Sequence, residues 1–108
     1  MDQRIYDELT GGILKVIPEQ VVKIILYGSV ARQTDDKESD IDIALLINGN
    51  LSNEIEDRLS DFIVDMNLKY DRVFSVIDID YDHFLKWLKI LPFYMNIEKE
   101  GITLWKAA

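Results

Sequence analysis

Residues 26–32 read Leu-Tyr-Gly-Ser-Val-Ala-Arg, and residues 39–45 read Ser-Asp-Ile-Asp-Ile-Ala-Leu. The first stretch closes the apolar, β-branched run 21–27, which is typical of a buried strand that enters a turn. The second stretch begins the strand-like run 40–47. We therefore expect two strands of one sheet, connected by a short helix and the polar loop 33–39.

The turn after the first predicted strand has the composition of an anion-binding site. Gly28 has no Cβ, so the backbone can turn sharply there and approach a ligand closely. Ser29 adds a hydroxyl beside backbone N–H groups that the turn leaves unpaired. Ala31 and Arg32 suit the first turn of a helix whose positive dipole end faces the same point. A Gly-Ser pair alone is more often only a turn, but this setting predicts phosphate binding at Gly28, Ser29 and Arg32.

Two carboxylates follow on the next predicted strand. Residues two apart on a strand point to the same face, so Asp40 and Asp42 should project together while Ile41 and Ile43 enter the core. The mutual repulsion of the two carboxylates would destabilise the strand. A hard divalent cation such as Mg²⁺ removes that conflict, because it is commonly held by one or two carboxylates together with substrate phosphates. An isolated Asp-x-Asp is more often solvated, but next to a phosphate site it predicts metal-assisted phosphoryl or nucleotidyl transfer.

Composition limits the class of protein. The 108 residues suffice for one domain, 1–108, with a single modest core. The formal net charge is −8 and Lys and Arg are not clustered, so direct nucleic-acid binding is not expected. The absence of cysteine excludes disulfides and thiolate zinc sites. No apolar run reaches membrane-spanning length and the N-terminus lacks a signal-peptide core, so we expect a soluble cytoplasmic protein without membrane contact.

Helical periodicity and capping signals place the remaining elements. We expect a first helix over residues 4–16, weakened by Gly11 and Gly12, and a long helix from its N-cap Ser52 to about residue 69. The later elements should be a strand, two short helices and an edge strand, over residues 73–80, 83–91, 93–100 and 102–105. The predicted fold class is α+β, a small mixed β-sheet of three to four strands with helices packed on it.

The motif Gly-Ser-x-Ala-Arg at residues 28–32, followed after seven residues by Asp-x-Asp at 40–42, resembles the signature of the polymerase-β-like nucleotidyltransferase superfamily. At this length the chain is similar to the minimal nucleotidyltransferases, small prokaryotic proteins that are usually paired with a HEPN-domain partner. The resemblance covers most of the chain, because the order of the predicted elements also fits. It implies a polymerase-β-like nucleotidyltransferase fold.

The resemblance also implies a role for each motif residue. Gly28 and Ser29, with Arg32 beside them, would bind the phosphates of ATP or another nucleoside triphosphate. Asp40 and Asp42 would be the catalytic residues and would bind one or two Mg²⁺ ions.

The sequence departs from the family pattern at one position. The superfamily normally has a third carboxylate on the strand after the long helix, where it binds metal and receives the proton of the acceptor hydroxyl. The matching residue here is Phe74, which can do neither, and Asp78 lies about 13 Å further along the same strand. General-base assistance is typically worth about 10²–10⁴ in rate, so its absence predicts a slow enzyme or a carboxylate supplied by a partner.

Three functions are compatible with these residues. The leading hypothesis is a Mg²⁺-dependent nucleotidyltransferase that moves AMP from ATP onto a hydroxyl of a partner protein, as the antitoxin of a HEPN-domain toxin. The second is a non-catalytic antitoxin or nucleotide-binding regulatory module, which Phe74 favours. The third, a small-molecule enzyme of the aminoglycoside-nucleotidyltransferase type, is disfavoured because those enzymes need a further domain or a dimer to form the drug site. The oligomeric state stays open, and a homo-oligomer is one alternative.

Overall fold

The polypeptide folds around one four-stranded sheet in a computed structural model that describes residues 3–34, 36 and 39–108. The elements in chain order are α1 (Gln3–Val16), β1 (Val21–Tyr27), α2 (Gly28–Ala31), β2 (Ile41–Ile47), α3 (Asn53–Tyr70), β3 (Phe74–Asp80), α4 (Tyr81–Trp87), α5 (Pro92–Glu100) and β4 (Ile102–Lys106). The strand order is β3-β2-β1-β4. Strand β1 is antiparallel to both of its neighbours and β2 is parallel to β3, so the sheet is mixed, as predicted.

Helices cover both faces of the sheet, and β2 lies between them. Alternate residues of a strand point to opposite faces. The β2 residues in the core formed with α1 and α3 are Ile41, Ile43, Leu45 and Ile47. The β2 residues in the core formed with α4 and α5 are Ala44 and Leu46. Burial on both faces explains why this strand is apolar almost throughout instead of alternating with polar residues.

The two long helices match their predicted spans. Helix α1 continues through Gly11 and Gly12 without a break. The ring of Phe62 on α3 occupies the space of a Cβ at Gly12, so the glycine lets the two helices pack closely. Ser52 is the N-cap of α3, where its hydroxyl accepts a hydrogen bond from the Ile55 N–H at 3.2 Å.

Predicted boundaries of a helix and a strand were wrong. The predicted helix 83–91 is α4, which begins directly after β3 at Tyr81 and ends at Trp87. Its N-cap residue is Asp80, whose carboxylate accepts from the Gly49 N–H at 3.2 Å instead of capping the helix. The second strand begins one residue later than predicted, because Asp40 precedes the first residue paired in β2. Residues 35, 37 and 38 of the predicted polar loop lie outside the described residues.

The C-terminal elements complete the sheet. Helix α5 begins with Pro92. The N–H of a first helical residue has no partner within the helix, so proline, which lacks this N–H, costs no hydrogen bond there. Strand β4 then pairs with β1, and its position at the edge of the sheet confirms the predicted edge strand. In the described part of the chain, no helix combines the length and hydrophobicity needed to cross a bilayer.

Ser52→Ala is expected to lower the free energy of unfolding by about 1 kcal/mol, because it removes the acceptor of the Ile55 N–H. Urea denaturation followed by circular dichroism measures the change. Ser60→Ala is the matched control, since Ser60 is exposed in the middle of α3, where alanine is the better helix former. Equal losses in the two variants would contradict the capping interaction.

Candidate active site

Asp42 lies at the end of the sheet where β1 ends and β2 and β3 begin. It is the second residue of β2, and its partners across the sheet are Tyr27 on β1 and Ser75 on β3. Directly paired residues point to the same face, so the three side chains form a row on the face that α4 and α5 cover further along. Because β1 runs antiparallel to β2, the turn that follows β1 also lies beside Asp42.

That turn brings the backbone directly under the Asp42 carboxylate. Gly28 has a φ of 75°, in the left-handed region that favours glycine. A Cβ at Gly28 would collide with Asp42 Oδ2. Any other residue would therefore meet both an unfavourable backbone conformation and a steric clash. Glycine at this position allows the carboxylate and the turn to approach each other.

A single helical turn, α2, carries the other two residues that the sequence assigns to phosphate. Ser29 is its second residue, and the Ser29 carbonyl accepts from the Thr34 N–H at 2.9 Å. Arg32 ends the turn and donates its own N–H to the Gly28 carbonyl at 3.1 Å. The Arg32 guanidinium lies 3.4 Å from the Glu100 carboxylate, and both side chains are exposed. An exposed pair of this kind is worth about 0–1 kcal/mol, so Arg32 can exchange its partner for a phosphate at little cost.

The negative charge of Asp42 is disfavoured in the protein without ligand. Partial burial raises the pKa of the Asp42 carboxyl, the nearby Asp40 carboxylate raises it further, and Arg32 lowers it. Burial and the charge of Asp42 also raise the pKa of the Tyr27 hydroxyl. Asp40 and Asp42 are thus close enough to repel each other, and Arg32 does not cancel the effect. A cation beside the two carboxylates would relieve it.

The donor set fits a hard divalent cation that shares its coordination with a substrate. Asp40 is exposed and immediately precedes β2, and Asp42 is half-buried on the strand. Among the described residues, no group of three acidic, histidine or cysteine side chains could form a complete metal site. Mg²⁺ is commonly held by one or two carboxylates plus phosphate oxygens and water, so a bound phosphate would complete the coordination.

The structure corrects the position that the sequence assigned to a third carboxylate. Phe74 pairs with Ile41 and belongs to the core formed with α1 and α3, on the opposite face from Asp42. The residue directly beside Asp42 is Ser75, which is exposed. A register change of one residue exchanges the two faces of a strand, which accounts for the error. Asp78 has the parity of Phe74 and lies on the wrong face as well.

Sequence reasoning missed two neighbours of the carboxylate pair. Tyr27 and Ser75 follow from the pairing register, which composition and periodicity do not determine. The Tyr27 ring makes an edge-to-face contact with Phe93 on α5, with 5.6 Å between the ring centroids. This contact connects the α5 layer to the rim of the site.

The comparisons with known proteins agree with this geometry. The family model described as "Polymerase beta, Nucleotidyltransferase" matches residues 13–107, a range that contains every residue of the site. The chain belongs to this nucleotidyltransferase family. The enzyme class is therefore that of a nucleotidyltransferase, as the motif spacing predicts. A search of the curated proteins found no match.

Solved structures share the fold of this nucleotidyltransferase. A crystal structure of a toxin–antitoxin with AMP-PNP has a TM-score of 0.63 at 21% identity and covers 94% of this chain and 73% of its own. The toxin–antitoxin MntA-HpeT with two aspartates changed to glutamate has a TM-score of 0.62 at 19% identity, with coverages of 99% and 75%. An MntA-HpeT variant with a tyrosine changed to alanine has a TM-score of 0.58 at 21% identity, with coverages of 94% and 72%. At these identities the similarity is one of fold, and it confirms the predicted α+β class.

Asp42→Asn is expected to raise the Tm of the ligand-free protein by a few degrees at pH 7. Because the pKa of Asp42 is raised on folding, its ionised form is less favourable in the folded chain than in the unfolded chain. The penalty is small where the carboxyl is largely protonated in both states, below the unfolded pKa of about 3.9, it grows between that value and the raised pKa of the folded chain, and it is complete above the raised pKa. Scanning calorimetry at pH 7 and pH 3.5 should therefore detect the stabilisation only at pH 7.

The control for this stabilisation is Asp61→Asn, which removes an exposed carboxylate from α3 in the same acidic protein. Its Tm should change little at either pH. Equal increases for both variants at pH 7 would mean that net charge, and not the surroundings of Asp42, is responsible.

Proposed function

We propose that the chain is a Mg²⁺-dependent nucleotidyltransferase that moves a nucleoside monophosphate, AMP from ATP, onto a hydroxyl of a partner protein. The observation that carries the proposal is the Asp42 carboxylate held against the backbone of Gly28. This contact puts a group suited to a cation next to a turn suited to phosphate. Membership of the nucleotidyltransferase family supports nucleotidyl transfer as the reaction of such a site. Residues 1–108 would act as one catalytic domain in the cytoplasm.

Each group would have a definite task in the transfer. Gly28 and Ser29 would bind the triphosphate, and Arg32 would turn from Glu100 to offset phosphate charge. Asp40 and Asp42 would hold one or two Mg²⁺ ions. When bound, Mg²⁺ neutralises the negative charge that develops on the phosphates and on the leaving pyrophosphate.

The chemical step is a substitution at the α-phosphorus. The acceptor oxygen forms the new bond to this phosphorus, the bond to the oxygen that bridges to the β-phosphorus breaks, and pyrophosphate leaves. The described carboxylates of β3, Asp78 and Asp80, have the parity of Phe74 and not of Ser75, so the hydroxyl proton would pass to water. We expect slow transfer for this reason, because general-base assistance is typically worth about 10²–10⁴ in rate.

The sheet order suggests the side from which the acceptor approaches. The phosphate-binding turn follows β1, on one side of Asp42, and β3 lies on the other side. In an in-line displacement the attacking oxygen stands opposite the leaving pyrophosphate. The acceptor hydroxyl would therefore arrive over Ser75, at the exposed edge of the sheet.

The proposed partner is a toxin, which the chain would modify as its antitoxin. Three solved structures that share this fold are toxin–antitoxin complexes, and one of them contains AMP-PNP. The motif resemblance to the minimal nucleotidyltransferases suggests a HEPN-domain toxin. The net charge of −8 favours association with a basic protein.

The test is transfer of label from [α-³²P]ATP to the partner that is co-expressed and purified with the chain, in the presence of Mg²⁺. Asp42→Asn should reduce labelling by more than about 100-fold, because metal charge stabilisation is worth several kcal/mol. Asp61→Asn removes the same charge from an exposed site on α3 and should label like wild type. Failure of wild type to label the partner, despite bound nucleotide, would contradict enzymatic transfer.

A second candidate is a non-catalytic antitoxin or nucleotide-binding regulatory module. Ser75 favours it, because a hydroxyl and not a carboxylate is paired with Asp42 on β3, the strand on which the resemblance implies a third carboxylate. The two candidates differ in the double variant Asp40→Ala/Asp42→Ala. Neutralisation of the toxin that persists in this variant would support the non-catalytic module, and neutralisation that is lost with the label would support the enzyme.

Ser75→Asp is expected to accelerate partner labelling, by at most about 10²–10⁴, since it puts a carboxylate beside Asp42 on the same face. Initial rates of labelling measure the gain. The matched control is Phe74→Asp, one residue away on the buried face, where the side chain is only 3% exposed. The Phe74→Asp variant should have a much lower Tm, because it buries a carboxylate, and its rate of partner labelling should not increase. A folded Ser75→Asp protein that labels no faster than wild type would contradict the proposed acceptor side.

A further inference from the structure

The connector between α3 and β3 is fixed at both of its ends. Asp71 ends α3 in the left-handed conformation, with a φ of 51°. The Arg72 N–H donates to the Asn67 carbonyl at 3.3 Å. The Asn67 side-chain oxygen in turn accepts from the Phe74 N–H at 2.8 Å, where β3 begins. Residues 71–73 are thus held against the last turn of α3.

This connector binds the two peptide groups that flank Asp40. On the N-terminal side, the Ser39 carbonyl accepts from Arg72 Nη2 at 3.1 Å. On the C-terminal side, the Ile41 N–H donates to the Val73 carbonyl at 2.8 Å. Asp40 itself lies before β2 and is exposed, so the strand ladder does not position it. The backbone that carries the Asp40 carboxylate is therefore held by two neighbouring residues of another segment.

The environment of Arg72 argues against a role in stability alone. The residue is half-buried, and its Nε is buried without a hydrogen-bond partner in the described part of the chain. A buried donor that is left unpaired is unfavourable for folding. The side chain makes its described hydrogen bond to the Ser39 carbonyl, next to the carboxylate pair. Among the described contacts, the burial of this arginine is thus accompanied by one hydrogen bond, and that bond holds the backbone next to Asp40.

We propose that Arg72 is a positioning residue that holds the Asp40 carboxylate beside Asp42 and thereby sets the affinity of the pair for a divalent cation. The inference rests on the metal-binding role proposed above for the two aspartates. Arg72 acts through the backbone of residues 39–41 and need not touch the cation or the nucleotide. Without its hydrogen bond, the N-terminal peptide group of Asp40 loses its anchor while the Val73 contact remains.

The test measures binding of Mn²⁺, which is visible by electron paramagnetic resonance, to the protein saturated with AMP-PNP. Arg72→Met keeps an apolar stem of similar length and removes the donor. It should weaken Mn²⁺ binding by about 10–100-fold, the usual effect of losing a group that orients a metal ligand. Arg72→Lys retains a charged donor and should restore most of the affinity. Arg58→Met removes an exposed arginine from α3 and controls for the loss of positive charge.

Non-additivity separates positioning from a general loss of structure. Asp40→Asn should weaken Mn²⁺ binding by itself, and the double variant Arg72→Met/Asp40→Asn should bind no more weakly than Asp40→Asn alone. If the two losses multiply, Arg72 acts elsewhere and the inference fails. If Arg72→Met is unfolded at the temperature of measurement, Arg72→Gln takes its place, and its Mn²⁺ affinity is compared with that of wild type and Asp40→Asn in the same way.

The remaining outcomes distinguish this inference from the proposed function. Wild-type affinity in a folded Arg72→Met protein, together with weak binding by Asp40→Asn, would overturn the role of Arg72 and leave the metal site standing. A wild-type protein that binds AMP-PNP but no Mn²⁺ would overturn the metal role of the aspartates and the inference with it.

Discussion

Helices cover both faces of strand β2, and this constraint decides where a charged side chain can stand on it. Six of its seven residues are buried, and the exception is Asp42. As the second residue of the strand, Asp42 sits at the rim of the sheet, where the carboxylate can meet solvent and the turn after β1. The close contact with Gly28 follows from this position, because Gly28 comes directly after Tyr27, the residue paired with Asp42. Strand pairing thus brings together groups that would otherwise separate.

The site illustrates a conflict between stability and function. Burial and the neighbouring Asp40 carboxylate both disfavour the charge on Asp42, and the Arg32 guanidinium compensates only in part. Folding therefore keeps negative charge concentrated at one rim of a protein whose net charge is already −8. A cation and a nucleotide that bind only the folded state would return this free energy as added stability. In the ligand-free protein, packing of the two cores offsets the cost of this charge.

Much of the fold followed from sequence patterns, because long periodic segments report directly on burial. The apolar stripes of α1 and α3, the Ser52 cap and the edge position of β4 were all predictable in this way. The motif spacing also assigned Gly28 and Asp42 to one site, and the structure places them in contact. Their chemical roles stay predictions.

Features that depend on register were not predictable from one sequence. In the run Val73-Phe74-Ser75, composition does not tell which residue pairs with Asp42. Pairing energy over the whole of β2 and β3 decides it, and the large aromatic side chain goes to the core. The hydrogen bond from Arg72 to the Ser39 carbonyl joins residues 33 positions apart, so no local sequence pattern predicts it.

The antiparallel ladder between β1 and β2 has a consequence for how this chain can change over evolutionary time. Tyr27 and Asp42 are opposite each other because the ladder extends from there to Val21 and Ile47. The spacing of turn and carboxylate is consequently independent of the length of the intervening segment, 33–39. Because lengthening a loop adds little closure entropy, insertions between Thr34 and Ser39 should be tolerated around an unchanged centre, as long as Thr34 keeps its hydrogen bond to Ser29 and Ser39 keeps its hydrogen bond to Arg72.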